Sequence, residues 1–198
     1  MKITGAKYLT SVTDKQNILK DGIDFAFVGR SNVGKSSLIN TLVNQKKLCK
    51  TSSLPGRTRM INYFNINDGA FRFVDLPGYG YAKAGMQNKL LWANIMEDYL
   101  LTSGCIKRVF MLIDSRIEPT ELDIKMLKFL FFYNIPTTLV ATKTDKLPKS
   151  KVANYIQRCA NRLGVGSGNI IPFSSENGAG RDKLIQIIEN TLSDNQSE

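Results

Sequence analysis

Histidine is missing altogether from the 198 residues of this chain. That absence removes every mechanism in which imidazole serves as base, nucleophile or metal ligand, and with it most hydrolase and metalloenzyme readings. Cysteine is scarce: Cys49, Cys105 and Cys159 are widely spaced and form no Cys-x-x-Cys pair. Neither a disulfide framework nor a zinc site is expected, and the thiols read as reduced and structural. No apolar run reaches the roughly eighteen residues of a membrane span, and the opening MKITGAKYLTSVTDKQ lacks the apolar centre of a signal peptide. A soluble, cytoplasmic protein is the expectation. Acidic residues are in short supply too, 17 against 27 Lys and Arg, for a formal charge of +10. That balance favours polyanionic partners such as RNA, although many basic proteins carry only a solvated cationic surface.

With 42% hydrophobic residues the chain can bury one core but is short for two domains and a linker. Residues 25–28 read as a strand and 37–43 as a helix. The runs 60–66 and 70–75 are strand-like and flank Asn67-Asp68-Gly69, which is hairpin chemistry. Beyond them the pattern predicts a helix over 87–101, a strand over 108–114 and a helix from about Pro119 to Tyr133. A strand over 137–142, a helix from Pro148 to about Leu163, a strand over 169–173 and a helix over 182–192 follow. Near-continuous apolar strands alternating with helices predict an α/β fold with helices on both faces of a mostly parallel six-stranded sheet carrying one antiparallel edge strand. The domain spans 22–192, with residues 1–21 as an N-terminal extension and 193–198 as a polar tail. Phe129, Phe131, Phe132 and Tyr133 read as helix-to-sheet packing in preference to a base-stacking platform, and Trp92 as a packing residue.

Between the first predicted strand and helix, Gly29, Arg30, Ser31, Asn32, Val33, Gly34, Lys35 and Ser36 spell GRSNVGKS. Glycines allow a tight turn around phosphate oxygens, and successive N–H groups at a positive helix end donate to them. The lysine reaches the β and γ phosphates, and the Ser36 hydroxyl serves Mg²⁺. Kinases, ATPases and GTPases all fit such a phosphate loop.

The choice among them comes from the far end of the chain. Thr142-Lys143-Thr144-Asp145 resembles the Asn/Thr-Lys-x-Asp element of translation-factor-type GTPases. Guanine presents N1–H and N2–H₂ side by side, and a carboxylate at Asp145 accepts both, whereas adenine offers no matching donors. Lys143 lays its stem along the ring and toward the phosphate loop. Much of the superfamily has Asn where Thr142 stands, a departure expected to loosen the tie between base site and phosphate loop. Asp75-Leu76-Pro77-Gly78 resembles the Asp-x-x-Gly element that senses the γ-phosphate, with Asp75 holding Mg²⁺ through water and the Gly78 N–H on the phosphate. Within Gly56-Arg57-Thr58-Arg59-Met60, Thr58 is the candidate switch threonine that completes Mg²⁺ coordination. Ser174-Ser175-Glu176 occupies the place of the loop whose backbone N–H faces guanine O6.

GRSNVGKSSLIN, SLPGRTR, FVDLPGYGYA and TKTDKL together span most of the chain and resemble the EngB family of bacterial GTPases. The resemblance implies a P-loop GTPase domain, GTP/GDP binding, GTP-dependent association with the large ribosomal subunit precursor and its rRNA, and a part in normal cell division and septation. It also implies nucleotide contacts at 29–36, 56–60, 75–78, 142–145, Ser174 and Ser175. No membrane or DNA partner is expected, and a monomer is the expectation off the ribosome.

Catalysis is expected to rest on Lys35, Thr58 and the Gly78 backbone, with Mg²⁺ at Ser36 and Thr58, that is, on electrostatic stabilisation of transferring phosphate charge. Where Ras-type GTPases place a water-orienting glutamine after Asp-x-x-Gly, this chain has Tyr79, which either packs or leaves hydrolysis slow until a partner accelerates it. Asn32, by resemblance to potassium-activated GTPases, is a candidate K⁺ ligand. The run from Lys46 to Arg59 carries Lys46, Lys47, Lys50, Arg57 and Arg59 and no acid, and reads as a mobile basic loop. Its two arginines fit phosphate fingers, RNA contacts or solvent-facing residues. A nucleotide-gated RNA-binding scaffold with negligible hydrolysis is the rival to a hydrolysing switch. A trafficking GTPase would need a lipid motif that neither Met1-Lys2 nor residues 195–198 supply, and Asp145 argues against an ATP-dependent kinase.

Overall fold

Successive residues of a strand point to opposite faces, and this sequence loads the two faces differently. Phe25, Phe27, Phe71, Phe73 and Phe110 share one side, while Ala26, Val28, Val74, Val109 and Met111 share the other. A computed structural model of the chain describes residues 1–49, 60–80 and 86–194, with the backbone alone for 86–93. Its strands are β1 (Ala6–Val12), β2 (Asp24–Gly29), β3 (Ile61–Ile66), β4 (Phe71–Asp75), β5 (Ile106–Asp114), β6 (Thr137–Thr142) and β7 (Ile170–Pro172). Its helices are α1 (Lys35–Leu42), α2 (Met86–Thr102), α3 (Glu121–Phe132), α4 (Lys149–Leu163) and α5 (Arg181–Asp194). The sheet runs β1-β3-β4-β2-β5-β6-β7.

The aromatic face packs beneath α1 and α5, against Leu38, Ile39, Leu42, Leu184 and Ile188. Phe27 meets Phe73 edge-on at 5.1 Å and stacks on Phe110 at 5.3 Å. The aliphatic face packs beneath α2, α3 and α4, through Tyr99, Leu127, Leu130, Ile156 and Cys159. Each fully buried Phe or Leu contributes about 1.5–3 kcal/mol relative to exposure, so neither face can be left uncovered. Local signals agree with these layers. A capping box at Thr120 and Asp123 starts α3, leaving Pro119 outside the helix it was expected to open. Gly164, at φ 71°, ends α4 in the left-handed conformation.

The α/β architecture stands, but the sheet has seven strands where six were expected. The additional strand is β1, from the N-terminal extension, which pairs antiparallel with β3, itself antiparallel to β4. Its sequence, AKYLTSV, lacks clean alternation because it sits at the edge with Lys7, Tyr8 and Leu9 exposed. The hairpin turn binds it in place. Asn67 Oδ1 accepts from Thr4 N at 2.8 Å, Asn67 Nδ2 donates to Lys2 O at 3.1 Å, and Asn67 N donates to Gly5 O at 2.9 Å. The aromatic cluster also departs from expectation. Phe129 packs against the core, but Phe131, Phe132 and Tyr133 are 52%, 77% and 44% exposed, whereas Leu127 and Leu130 are the apolar residues that α3 buries. The side chain of Trp92 lies outside the described residues. Among the described residues no helix is long and apolar enough to cross a membrane.

Opposite the nucleotide end, a buried ion pair closes the base of the sheet. Arg72 Nε donates to Asp24 Oδ1 at 2.6 Å, Tyr99 Oη donates to Asp24 Oδ2 at 3.0 Å, and the Arg72 guanidinium lies over the Tyr63 ring at 5.6 Å. Asp24 is fully buried, and burial pushes its carboxyl above the usual range despite the arginine. Removing one member of such a pair strands the other, at a cost of about 3–5 kcal/mol. Arg72→Ala is therefore expected to shift the urea midpoint by a corresponding amount, whereas Asp21→Asn, at the solvent end of the same guanidinium, leaves it nearly unchanged.

Candidate functional site

The carboxyl ends of β2, β4, β5, β6 and β7 deliver Gly29, Asp75, Asp114, Thr142 and, just beyond β7, Ser174 to one rim of the sheet. Ligands of open α/β sheets bind at such a rim. From β2 the chain turns through residues 30–34 and enters α1 at Gly34, whose φ of 109° is open to glycine and strained for other residues. Asn32, at φ 63°, makes the other left-handed step.

Three neighbours tie this turn down. Thr142 Oγ1 lies 2.6 Å from Val33 O, and Lys143 Nζ donates to Asn32 O at 2.6 Å. On the β4 side Ser31 N donates to Tyr79 O at 3.0 Å and Tyr79 N to Gly29 O at 3.3 Å. Because the peptide unit is planar and trans, holding the Val33 carbonyl toward Thr142 aims the Gly34 N–H the opposite way, into the mouth of the turn. Thr142 thus does tie the two loops together: its hydroxyl is long enough to reach the loop carbonyl.

Lys35 and Asp75 face each other from the start of α1 and the end of β4, 8% and 3% exposed. Burial lowers the Lys35 ammonium's pKa against the opposing pull of Asp75, and burial raises that of the Asp75 carboxyl against the pull of Lys35. Ser36 Oγ lies 3.5 Å from Asp75 Oδ2, and Asp75 Oδ1 is buried without a partner among the described residues. An unpaired carboxylate oxygen beside a hydroxyl is a hard-oxygen donor set that fits Mg²⁺, and a polyphosphate would supply the anion that Lys35 needs. Gly78 closes over the lysine: a Cβ there would stand 2.9 Å from Ser31 Cα and 3.2 Å from Lys35 Nζ. Leu76 and Pro77 are buried between them, with Leu76 N donating to Phe27 O.

The second half of the site lies on the turns after β6 and β7. Ser174 Oγ donates to Asp145 Oδ1 at 2.7 Å, and this hydrogen bond holds the carboxyl below the usual carboxylate range. The Asp145 side chain keeps 14% exposure, so a carboxylate is presented to a ligand on a fixed bearing. The Ser174 N–H itself donates to Ala179 O, so that amide is already taken within the turn; Ser175 lies exposed beside it. Thr144 is buried, its N and Oγ1 both donating to Phe173 O, which joins the two turns.

Tyr79 is turned away from the phosphate side. Its hydroxyl donates to Asp123 Oδ1 at 2.9 Å on α3, and burial raises its pKa well above the usual phenol value, so it packs as a neutral donor. Arg30, Ser31 and Met60 are partly or fully exposed around the turn. Lys50, Gly56, Arg57, Thr58 and Arg59 lie outside the described residues. Sequence reasoning missed Asp114, which pairs in register with Thr142 across β5 and β6. Its carboxylate accepts from Lys143 Nζ at 2.8 Å and from Arg116 Nη2 at 2.7 Å, so it steers the lysine that lies on the phosphate loop. The available signal was an acid ending a buried strand next to the Thr-Lys-x-Asp turn.

Although burial favours protonation of Asp114, the Arg116 and Lys143 hydrogen bonds outweigh it and hold the carboxyl at about 2. A folded-state value below the unfolded one, near 3.9, means that these contacts contribute fully above about pH 4 and are lost as the pH falls through about 2. Thermal denaturation between pH 5 and pH 2 is expected to show this loss, and Asp114→Asn to flatten that part of the curve while weakening nucleotide binding through Lys143.

Against known proteins, the family model described as "50S ribosome-binding GTPase" matches residues 24–143. A "Probable GTP-binding protein EngB" of Desulforamulus reducens is 46% identical over 96% of this chain and 93% of its own length. Its namesake from Clostridium kluyveri is 46% identical over 97% and 98%. Among solved structures, a probable GTP-binding protein engB superimposes with a TM-score of 0.71 over 86% of this chain and 99% of that one, at 24% identity. Era of Aquifex aeolicus bound to GDP·AlF₄⁻ gives 0.70 at 27% identity, over 87% of this chain and 57% of that one. With its sheet-end phosphate loop, its Asp145 turn and relatives matching nearly end to end, the chain is a GTPase and belongs to the EngB family of GTP-binding proteins.

Proposed function

We propose that this protein is a slow GTPase that works as a nucleotide-dependent switch in assembly of the large ribosomal subunit, in the cytoplasm, with the cell-division and septation role of its family. The observation that carries the switch is the double backbone pairing of Tyr79 with Ser31 and Gly29. It joins the turn bearing Gly78 directly to the phosphate loop, so a change at the γ-phosphate is felt in both. The ribosomal partner is supported by the matching family's description and by Era, solved with MgGDPNP and nucleotides 1506–1542 of 16S ribosomal RNA, a structure with a TM-score of 0.68 at 28% identity.

In this reading Gly34 and its neighbours donate backbone N–H groups to the phosphates, and Lys35 supplies the buried positive charge. Asp145, oriented by Ser174, selects guanine. Ser36, with Asp75 behind it, and Thr58 would hold Mg²⁺, which when bound neutralises charge on the β and γ phosphates. Asn32, exposed at the lip of the loop, is the proposed K⁺ ligand. The engagement of Tyr79 with Asp123 leaves no described side chain in the place of a water-orienting glutamine, which supports slow intrinsic turnover. The same observation favours, as the second reading, a scaffold gated by nucleotide occupancy alone.

GTP hydrolysis measured with and without purified large subunits, in KCl and then NaCl, separates the readings. Turnover raised by subunits is expected for the switch, and turnover higher in KCl for the role of Asn32; GTP-dependent subunit binding with flat turnover would mean the scaffold. Asp145→Asn removes a charge-assisted hydrogen bond of about 1.5–3 kcal/mol. It is expected to weaken GTP roughly 10- to 150-fold in a competition assay against a fluorescent GDP analogue, with no gain for ATP.

A further inference from the structure

Away from the nucleotide site, on the β1 edge of the sheet, an open groove of about 610 Å³ is lined by Tyr8, Gln45, Lys46, Lys47 and Leu48. It is built, not incidental. Asn40, 7% exposed on α1, accepts from Cys49 N at 2.8 Å and donates to Cys49 O at 3.0 Å and Lys46 O at 3.3 Å. The turn after α1 is thereby locked. Gln45 Nε2 donates to Ala6 O at 3.3 Å, fixing that turn to β1. Tyr8 is 57% exposed, yet its ring is steadied by Phe64 at 6.0 Å edge-on and its hydroxyl by Ser11 Oγ at 2.8 Å.

The charge is one-sided. Lys46 and Lys47 are exposed and enter no ion pair among the described residues. Neither β1 nor any residue from 43 to 60 is Asp or Glu, so the adjoining sequence supplies no counter-charge. Two unpaired cations beside a steadied, half-open aromatic ring in a groove match the requirements of a single-stranded polynucleotide, phosphates on the lysines and a base on the ring. A protein strand added to the sheet edge fits less well. The register of β1 slips between Tyr8 and Thr10, and a bulge next to an edge lysine is a common device against strand addition.

We propose that this groove binds single-stranded RNA, with Lys46 and Lys47 on successive phosphates and Tyr8 as the stacking platform. The inference rests on the ribosomal-particle reading for its physiological partner and adds to it the surface and the RNA form recognised. α1 links this surface to the nucleotide: Lys35 is at its first turn, Asn40 in its second, and the basic segment after Cys49 leads on toward Thr58.

The test uses the full chain with GDP or a non-hydrolysable GTP analogue and a fluorescent oligouridine of about ten nucleotides, within the usual site size of such grooves. Binding is read by anisotropy across a salt series, with large-subunit co-sedimentation in parallel. For Lys46→Ala/Lys47→Ala the slope of log K against log salt is expected to become shallower by about 1.4, the value for two phosphates on a single strand. Tyr8→Ala is expected to weaken binding about fivefold to 150-fold, as for one lost stack, with the slope unchanged. Both variants should bind GDP as the parent does, which shows that they are folded. RNA binding by the double variant with unchanged strength and slope would overturn the proposal. So would a parent protein that sediments with subunits but does not bind the oligonucleotide, and a variant that loses subunits while keeping RNA, since either means a protein partner. Salt-sensitive RNA binding through the groove without subunit association would instead sustain the groove and fail the ribosomal reading.

Discussion

Two loop carbonyls, those of Asn32 and Val33, anchor the nucleotide end of this protein. Lys143 takes the first and Thr142 approaches the second, both from the turn that also carries Asp145. Because the peptide is planar, holding the Val33 carbonyl outward turns the Gly34 N–H into the mouth of the loop, while the Val33 N–H closes the turn on Arg30 O. The turn that carries Asp145 therefore also shapes the phosphate loop. Asp114 extends the chain of contacts by setting Lys143, and Ser174 completes it by setting Asp145.

The price of this arrangement is burial of Lys35 and Asp75, each pulled toward its neutral form by desolvation and restrained by the other. A lone buried charge would be far less tolerable. The tension is resolved by what a nucleotide and a divalent cation would bring. At the opposite end of the sheet, Asp24 accepts from both Arg72 and Tyr99, and Arg72 reaches on to Asp21, which ties the strand ends together. One end of the sheet is thus closed electrostatically and the other left incomplete, and the incomplete end is where chemistry is possible.

Much of this was legible in the residues. The glycine spacing of 29–36, the Asp75 and Asp145 turns and the alternation of apolar strands with helices each depend on local physics: tight turns, strand-end carboxylates, periodic burial. Three features were not legible. β1 has an edge strand's irregular pattern and takes shape through Asn67, some sixty residues away. That the Thr142 hydroxyl reaches Val33 O could not be read from residue type. Whether Tyr79 packs depended on Asp123, forty-four residues away on α3, which takes its hydroxyl.

By itself the sequence determined the chemical groups on offer: a carboxylate at Asp145, a phosphate loop, and a basic chain with no imidazole. These follow from residue type and short spacing, over which the backbone has few choices. Only the tertiary structure decided which of those groups are tied together and which are left free. Asp114 behind Lys143, Ser174 behind Asp145, and the groove between Tyr8 and Lys46 each join residues at least twenty-nine positions apart. Contacts of that range depend on strand order and register, which are set by the burial of the two sheet faces as a whole and not by any local run of residues.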